Sequence, residues 1–407
     1  MTAVRRSALL LCGLALALVI SACGGSDDAA DEPARAENSA ERSPTPSPTP
    51  SVTEEAHGHD AQAAPARRKP LRRGERRITL TMPSDYTPSA PTGVGTDDYR
   101  CFLLDPKLAR NQMITGYNVL PGNPEVVHHV ILFRVPAEVV PEAVQTDEET
   151  PGEGWTCFGG SGIGERRGEQ LDDAPWLGAW APGGAENVYG KGFGAPFGKG
   201  SRVVMQVHYN LLAGKQPDRS ATELRVAPAS PDIQALQTQL LPAPVELPCR
   251  PEHDDGPLCD RVDAMDDVRD RFGTAAGLAD ALHLLCGPIK AGPVQTCTRP
   301  VAQPQTVRGV AGHMHLLGKS IKVEVNPGKP NARTLLDIPV WDFDDQGSRP
   351  VPNVKLEPFD EIKVTCRHTQ ELRDQLPAFE GQPDRYVVWG EGTTDEMCLA
   401  ILLVTRP

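Results

Sequence analysis

Four short segments of the chain carry side chains able to bind a metal ion. In Glu125-Val-Val-His128-His129-Val-Ile-Leu-Phe133, two adjacent histidines sit in a strand-like apolar run. On a flat strand neighbouring side chains leave opposite faces, so both rings reach one ion only where a bulge or twist re-aims one of them. Taken alone, a buried histidine satisfied by backbone groups is the commoner use of such a pair. Val203-Val-Met-Gln206-Val-His208-Tyr209-Asn210 has a single histidine on an apolar face, and nothing local gives it a partner. Gly312-His313-Met314-His315-Leu-Leu-Gly318 differs, because residues i and i+2 leave the same face of a strand with ring nitrogens close enough to share an ion. A solvated histidine pair is the rival reading. Thr393-Thr-Asp395-Glu396-Met397-Cys398 places a methionine between acids and a cysteine at the mouth of an apolar strand, where core packing is the default.

The elements that must position these residues read as strands. Pro and Gly supply 40 and 38 of the 407 residues, too many turn-formers for a mainly helical protein. From Ile78 onward, apolar or alternating runs of strand length are bounded by Gly, Pro and Asn: 78–82, 101–104, 113–120, 126–135, 203–212, 307–317, 321–325, 362–368, 386–389 and 399–404. Ten strands with no helices between them predict an all-β fold, two antiparallel β-sandwiches of jelly-roll type. Residues 260–286 are the exception, with apolar side chains at three- and four-residue spacing that predict two short helices. Cys249, Cys259, Cys286 and Cys297 bracket them, so residues of about 245–300 form a disulfide-stapled insertion. The expected organisation is a signal at 1–22, a stalk at 23–77, one sandwich at 78–230 and a second, carrying the insertion, at 231–407.

The N-terminus sets the compartment. Arg5-Arg6 precedes the apolar run Ala8–Ile20, which is too short and wrongly flanked for a stable membrane span and reads as an export signal. Ile20-Ser21-Ala22-Cys23 resembles the bacterial lipobox, and lipid on Cys23 would tether the protein to the outer face of a membrane. An ordinary secreted chain is the alternative. Residues 23–60 hold nine acidic and two basic side chains around Ser43-Pro-Thr-Pro-Ser-Pro-Thr-Pro50, whereas 67–77 hold seven basic and one acidic. This predicts a disordered spacer that turns basic beside the folded part, as a solvated linker. With 41 basic against 54 acidic side chains the formal charge is -13, which offers little to a phosphate backbone, and no nucleic-acid partner is expected. Setting aside Cys12 and Cys23 leaves eight of ten cysteines, an even number suited to four bridges in an exported chain.

Together the four segments resemble the copper type II, ascorbate-dependent monooxygenases, the family of the peptide α-hydroxylating and dopamine β-hydroxylating enzymes. The resemblance covers roughly residues 78–242 and 300–407, with the segments in the family's order and Trp180-Ala and Gly192-Phe-Gly before the second. It implies that His128, His129 and His208 hold an electron-delivering copper, and that His313, His315 and Met397 hold the copper that binds oxygen and substrate, two coppers per chain. It also implies bridges Cys101–Cys157 and Cys366–Cys398, and a solvent gap between the coppers that admits substrate. For the insertion we expect nested bridges, Cys249–Cys297 and Cys259–Cys286. The ligand types suit copper on their own chemistry. Three imidazoles accept either oxidation state, whereas two imidazoles and a thioether favour Cu(I) and disfavour zinc.

The resemblance implies hydroxylation of a substrate C–H bond with O2 and a reductant such as ascorbate. Peptide-amidating members place an arginine where this chain has Ala311, and polar residues where it has Leu399 and Ile401. A C-terminal peptide substrate is therefore disfavoured, and a small, weakly polar or aromatic molecule is expected. Gln206 and Tyr209 are candidates to orient His208 or line the path between the coppers, with sheet packing the alternative. A non-catalytic copper-binding or storage lipoprotein needs the same six ligands and is the rival function.

Overall fold

The computed structural model describes residues 68–91, 96–164, 171–343 and 345–407. The export signal, Cys23 and the spacer up to residue 67 lie outside the described residues. Two antiparallel sandwiches follow one another along the chain. In the first, a sheet ordered Arg76–Thr81, Ala221–Pro228, Gln112–Leu120, Phe193–Phe197 and Gln234–Ala235 faces another ordered Trp155–Thr156, Asp97–Leu104, Arg202–Asn210, Val127–Val135 and Trp176–Trp180. Phe102, Ile114, Leu132, Met205 and Leu224 fill the space between them. In the second, the sheet Gln237–Pro242, Leu399–Thr405, Gln305–His313 and Arg349–Leu356 faces Val294–Pro300, Glu361–His368, Gly318–Val325 and Arg333–Ile338.

Sequence alternation explains these faces. Along Glu361–His368 every second side chain is buried, so Ile362, Val364 and Cys366 enter the core while Lys363 and Thr365 face outward. Each such aliphatic contributes about 1.5–3 kcal/mol on burial. Strand Val294–Pro300, inside the range expected for the insertion, is an edge strand of this sheet.

Three features depart from expectation. A helix, α1 (Val140–Glu149), interrupts the strands; Pro141 opens it at a position where a missing N–H costs nothing. The basic run 68–77 is docked on the first sandwich and is no solvated linker: Arg72 donates to the Tyr189 carbonyl at 2.6 Å, Arg68 pairs with Glu223 at 2.7 Å and Arg77 with Glu186 at 2.9 Å. Glu186 and Glu223 are buried, so these cations supply the counter-charge that burial demands.

The third departure is the insertion's connectivity. Helices α2 (Arg261–Phe272) and α3 (Gly277–Cys286) form as expected, with the Asp260 side chain capping α2 through the Val262 and Asp263 N–H groups. Their bridges are consecutive, Cys249–Cys259 and Cys286–Cys297, and not the nested Cys249–Cys297 and Cys259–Cys286. The chain turns back directly from the end of α3 into strand Val294–Pro300, bringing Cys297 beside Cys286, while Cys249 and Cys259 close the turn that leads into α2. Met265, Val268 and Leu282 anchor the helices in the core of the second sandwich.

Candidate metal centre

Strand Val127–Val135 pairs with Arg202–Asn210 in a register that puts Val127 opposite Tyr209 and His129 opposite His208. His128 is therefore the extra residue of a bulge, which turns its ring onto the face already occupied by His129 and His208. The three Nδ1 atoms converge, 3.3 Å from His128 to His129, 3.1 Å from His128 to His208 and 3.2 Å from His208 to His129. A point equidistant from all three is about 1.9 Å from each, close to the ~2.0–2.1 Å of a metal–imidazole bond. Burial, then the neighbouring His208 ring, holds His128 and His129 well below the usual imidazole range, so both lone pairs stay free. The trio can hold one metal ion.

The groups behind the trio were not apparent from the four segments. Asp97 accepts from His208 Nε2 at 2.8 Å, which leaves Nδ1 as the free nitrogen. Burial alone would raise the Asp97 carboxyl, but bonds from His208 and Thr393 hold it well below the usual carboxylate range. Tyr99 stacks on His208 with centroids 4.0 Å apart. Gln206 lines the cavity and donates to the Cys157 and Gly160 carbonyls at 3.3 and 3.2 Å, so it braces a loop. Tyr209 does not orient His208; strand alternation sends it into the core, where its hydroxyl meets Asp218 at 3.0 Å.

In the second sandwich, His313 pairs with Leu399 across the antiparallel strands Gln305–His313 and Leu399–Thr405, so segments 313–315 and 397–399 meet. His313 Nδ1 lies 2.6 Å from Gln346 Oε1 and His315 Nδ1 lies 3.2 Å from the Asp395 carbonyl. Both acceptors require the proton on Nδ1, and each Nε2 keeps its lone pair. Burial, then His315, pushes His313 down to about 3. Met314, between them, is in the core. Glu396 is fully buried and accepts from the His315, Leu317 and Met397 N–H groups at 3.0, 2.5 and 3.3 Å. His368 Nε2 donates to the Met397 carbonyl at 3.2 Å, and Cys366–Cys398 ties down the next residue. Asp395 and Glu396 thus brace the methionine segment and are not surface acids.

His128, His129, His313 and His315 line one cavity of about 150 Å³ together with Met397, Trp176, Trp180, Phe343, Leu399 and Ile401, with His208 behind the first pair. The His129 and His313 ring centroids are only 6.1 Å apart, so in this structure no wide solvent gap separates the sets. His128 also stacks on Phe343 at 4.9 Å. Glu391 is the buried acid of this cavity; burial, then Asp395, pushes its carboxyl up to about 7.

Residues 88–216, which include His128, His129 and His208, match the model of the copper type II ascorbate-dependent monooxygenase N-terminal domain. No curated protein matches the chain. Among solved structures, the major capsid protein P2 from bacteriophage PM2 is similar over 81% of this chain and 97% of its own, at 9% identity and a TM-score of 0.29. Allantoicase is similar over 72% of this chain and 86% of its own, at 11% identity and a TM-score of 0.17. Neither likeness is close enough to carry an argument.

Within the matched stretch the bridge Cys101–Cys157 ties strand Asp97–Leu104 to the loop that Gln206 braces. Four disulfides in the folded part suit an oxidising, extracytoplasmic compartment. Among the described residues no helix is long and apolar enough to cross a membrane.

Proposed function

We propose that the protein is a copper-dependent monooxygenase that hydroxylates a C–H bond of a small organic substrate, using O2 and a reductant such as ascorbate. The observation that carries this reading is the convergence of the His128, His129 and His208 Nδ1 atoms, inside the family-matched stretch, at the wall of a cavity that His128 and His129 line together with His313, His315 and Met397. Three imidazoles would hold one copper; two imidazoles and the Met397 thioether, a soft donor, would hold the other. Copper at these positions would supply the oxygen activation and the electrons. The chain's own part is positional. Asp97, Gln346 and the Asp395 carbonyl fix which ring nitrogen is left for a metal, and the tryptophan and leucine walls bind an apolar substrate and exclude water. Leu399 and Ile401 on that wall, with Ala311 in place of an arginine, argue against a substrate carrying a carboxylate.

We further read residues 78–230 and 231–407 as the two copper-binding domains and Cys23 as a lipid attachment site holding them outside a bacterial membrane. The test is copper quantification with ascorbate-driven oxygen uptake on wild type and Met397→Ala. Near two coppers per chain and steady uptake are expected for wild type, with the second copper and the uptake lost in the variant. Identical behaviour of the two proteins would remove Met397 from the site. Metabolic labelling with an alkyne fatty acid, lost in Cys23→Ala, tests the anchor.

A further inference from the structure

We infer that the helical insertion is a working part of the second metal site, with Arg271 of α2 as a positioning residue that holds His315 and Met397 in place through Asp395. The inference rests on the copper reading of that site. Arg271 grips Asp395 with a two-pronged pair, Nη1 to Oδ2 and Nη2 to Oδ1, both at 2.7 Å. Asp395 is buried, and the same Oδ2 accepts the Gly392 N–H at 3.0 Å, closing the turn that leads into Met397. The backbone carbonyl of Asp395 is the acceptor for His315 Nδ1 at 3.2 Å. One guanidinium thus fixes the residue that sets the orientation of an imidazole and lies two positions before the methionine.

Arg271 is itself pre-aimed. Its Nε donates to Asp267 one helical turn back at 2.9 Å, and its guanidinium carbon lies 4.7 Å from the centre of the Phe272 ring. Phe272 meets Phe158 of the first sandwich edge-on at 5.1 Å, and Leu278 of α3 reaches the cavity wall. The space is tight: a Cβ on Gly392 would come within 2.8 Å of Asp395 Oδ2 and 3.1 Å of Arg271 Nη1. Planar two-point geometry is the property that lysine lacks.

The experiment measures copper stoichiometry, Cu(I) affinity by chelator competition, and sulfur scattering at the copper X-ray absorption edge. It compares wild type, Arg271→Leu, Arg271→Lys, Gly392→Ala and Met397→Ala. The expected result for Arg271→Leu is an unchanged first copper, a second bound about 10–100-fold more weakly and loss of the sulfur signal. Arg271→Lys should fall between Arg271→Leu and wild type. A purely structural role would lower the melting temperature without separating the two coppers. Should Arg271→Leu not fold, Arg271→Lys and Gly392→Ala disturb the same pair without leaving a buried charge alone, and the same selective loss is expected of them. Second-copper affinity within twofold of wild type, with sulfur retained, in the folded variants overturns the inference. A wild type with no sulfur ligand, or one unaffected by Met397→Ala, overturns the copper assignment, and this inference falls with it.

Discussion

At the scale of single residues, Glu391 is the group whose charge the cavity must decide. Its carboxyl is pushed up to about 7, from an ordinary value of 4.5, by burial and then by Asp395. Between those two values the folded chain holds a proton that the unfolded chain has released. The stability this contributes is complete below about 4.5 and is lost as pH rises through 7. Glu391→Gln keeps the shape and removes the titration. The variant is expected to gain on wild type by about 1–3 kcal/mol between pH 5 and pH 8. Thermal melts at the two pH values check this, and an equal gap at both would contradict it. Asp97 poses a different question, because its carboxylate fixes His208 from behind. Asp97→Asn should leave the fold intact and weaken copper at the histidine trio by about 10–100-fold with little effect on the second site. Equilibrium competition with a chelator reads both sites.

At the scale of elements, the trio depends on a bulge and the methionine on a bridge. The adjacent histidines implied that a strand must be distorted to use both, and the register shift at His128 is that distortion. The alternating run 362–368 was equally legible, because period-2 burial leaves a local mark, whereas the strand expected over 307–317 ends at His313 and leaves His315 just beyond it. Asp97, Tyr99, Gln346 and Arg271 were not. Asp97 lies 111 residues from His208 and Arg271 lies 124 from Asp395, and no local period records such a partnership. The insertion's bridges were misjudged for the same reason: pairing follows where the chain turns after α3, which spacing alone does not specify. Met397 is followed directly by Cys398, whose bridge to Cys366 closes a loop of the second sandwich. Cys366→Ser with Cys398→Ser is expected to cost about 2–4 kcal/mol in denaturant unfolding. It should also weaken the second copper while sparing the first, since only the methionine segment is released.

At the scale of the whole molecule, one set of bonds between the two sandwiches starts at a single strand, apart from the ties that Asp172 makes to Arg299 and Arg406. Tyr99 donates to the Glu391 carbonyl at 2.5 Å, and Asp97 accepts from the Thr393 hydroxyl and N–H at 2.6 and 3.3 Å. The same two residues hold His208, Tyr99 by stacking and Asp97 at Nε2, so the strand that orients the first site also clasps the segment leading to Met397. The clasp lies beside the approach of His129 to His313. Removing both side-chain ties in Tyr99→Phe with Thr393→Val should leave each sandwich folded while loosening the segment between them. With about 1 kcal/mol per hydrogen bond, opening of residues 391–398 should become roughly tenfold or more easier. Hydrogen–deuterium exchange is expected to quicken by that factor over 391–398 and to stay unchanged in strands 127–135 and 361–368. Unchanged exchange throughout would mean that apolar packing around the cavity and the Asp172 ties, and not the Asp97 and Tyr99 clasp, keep the two ligand sets together.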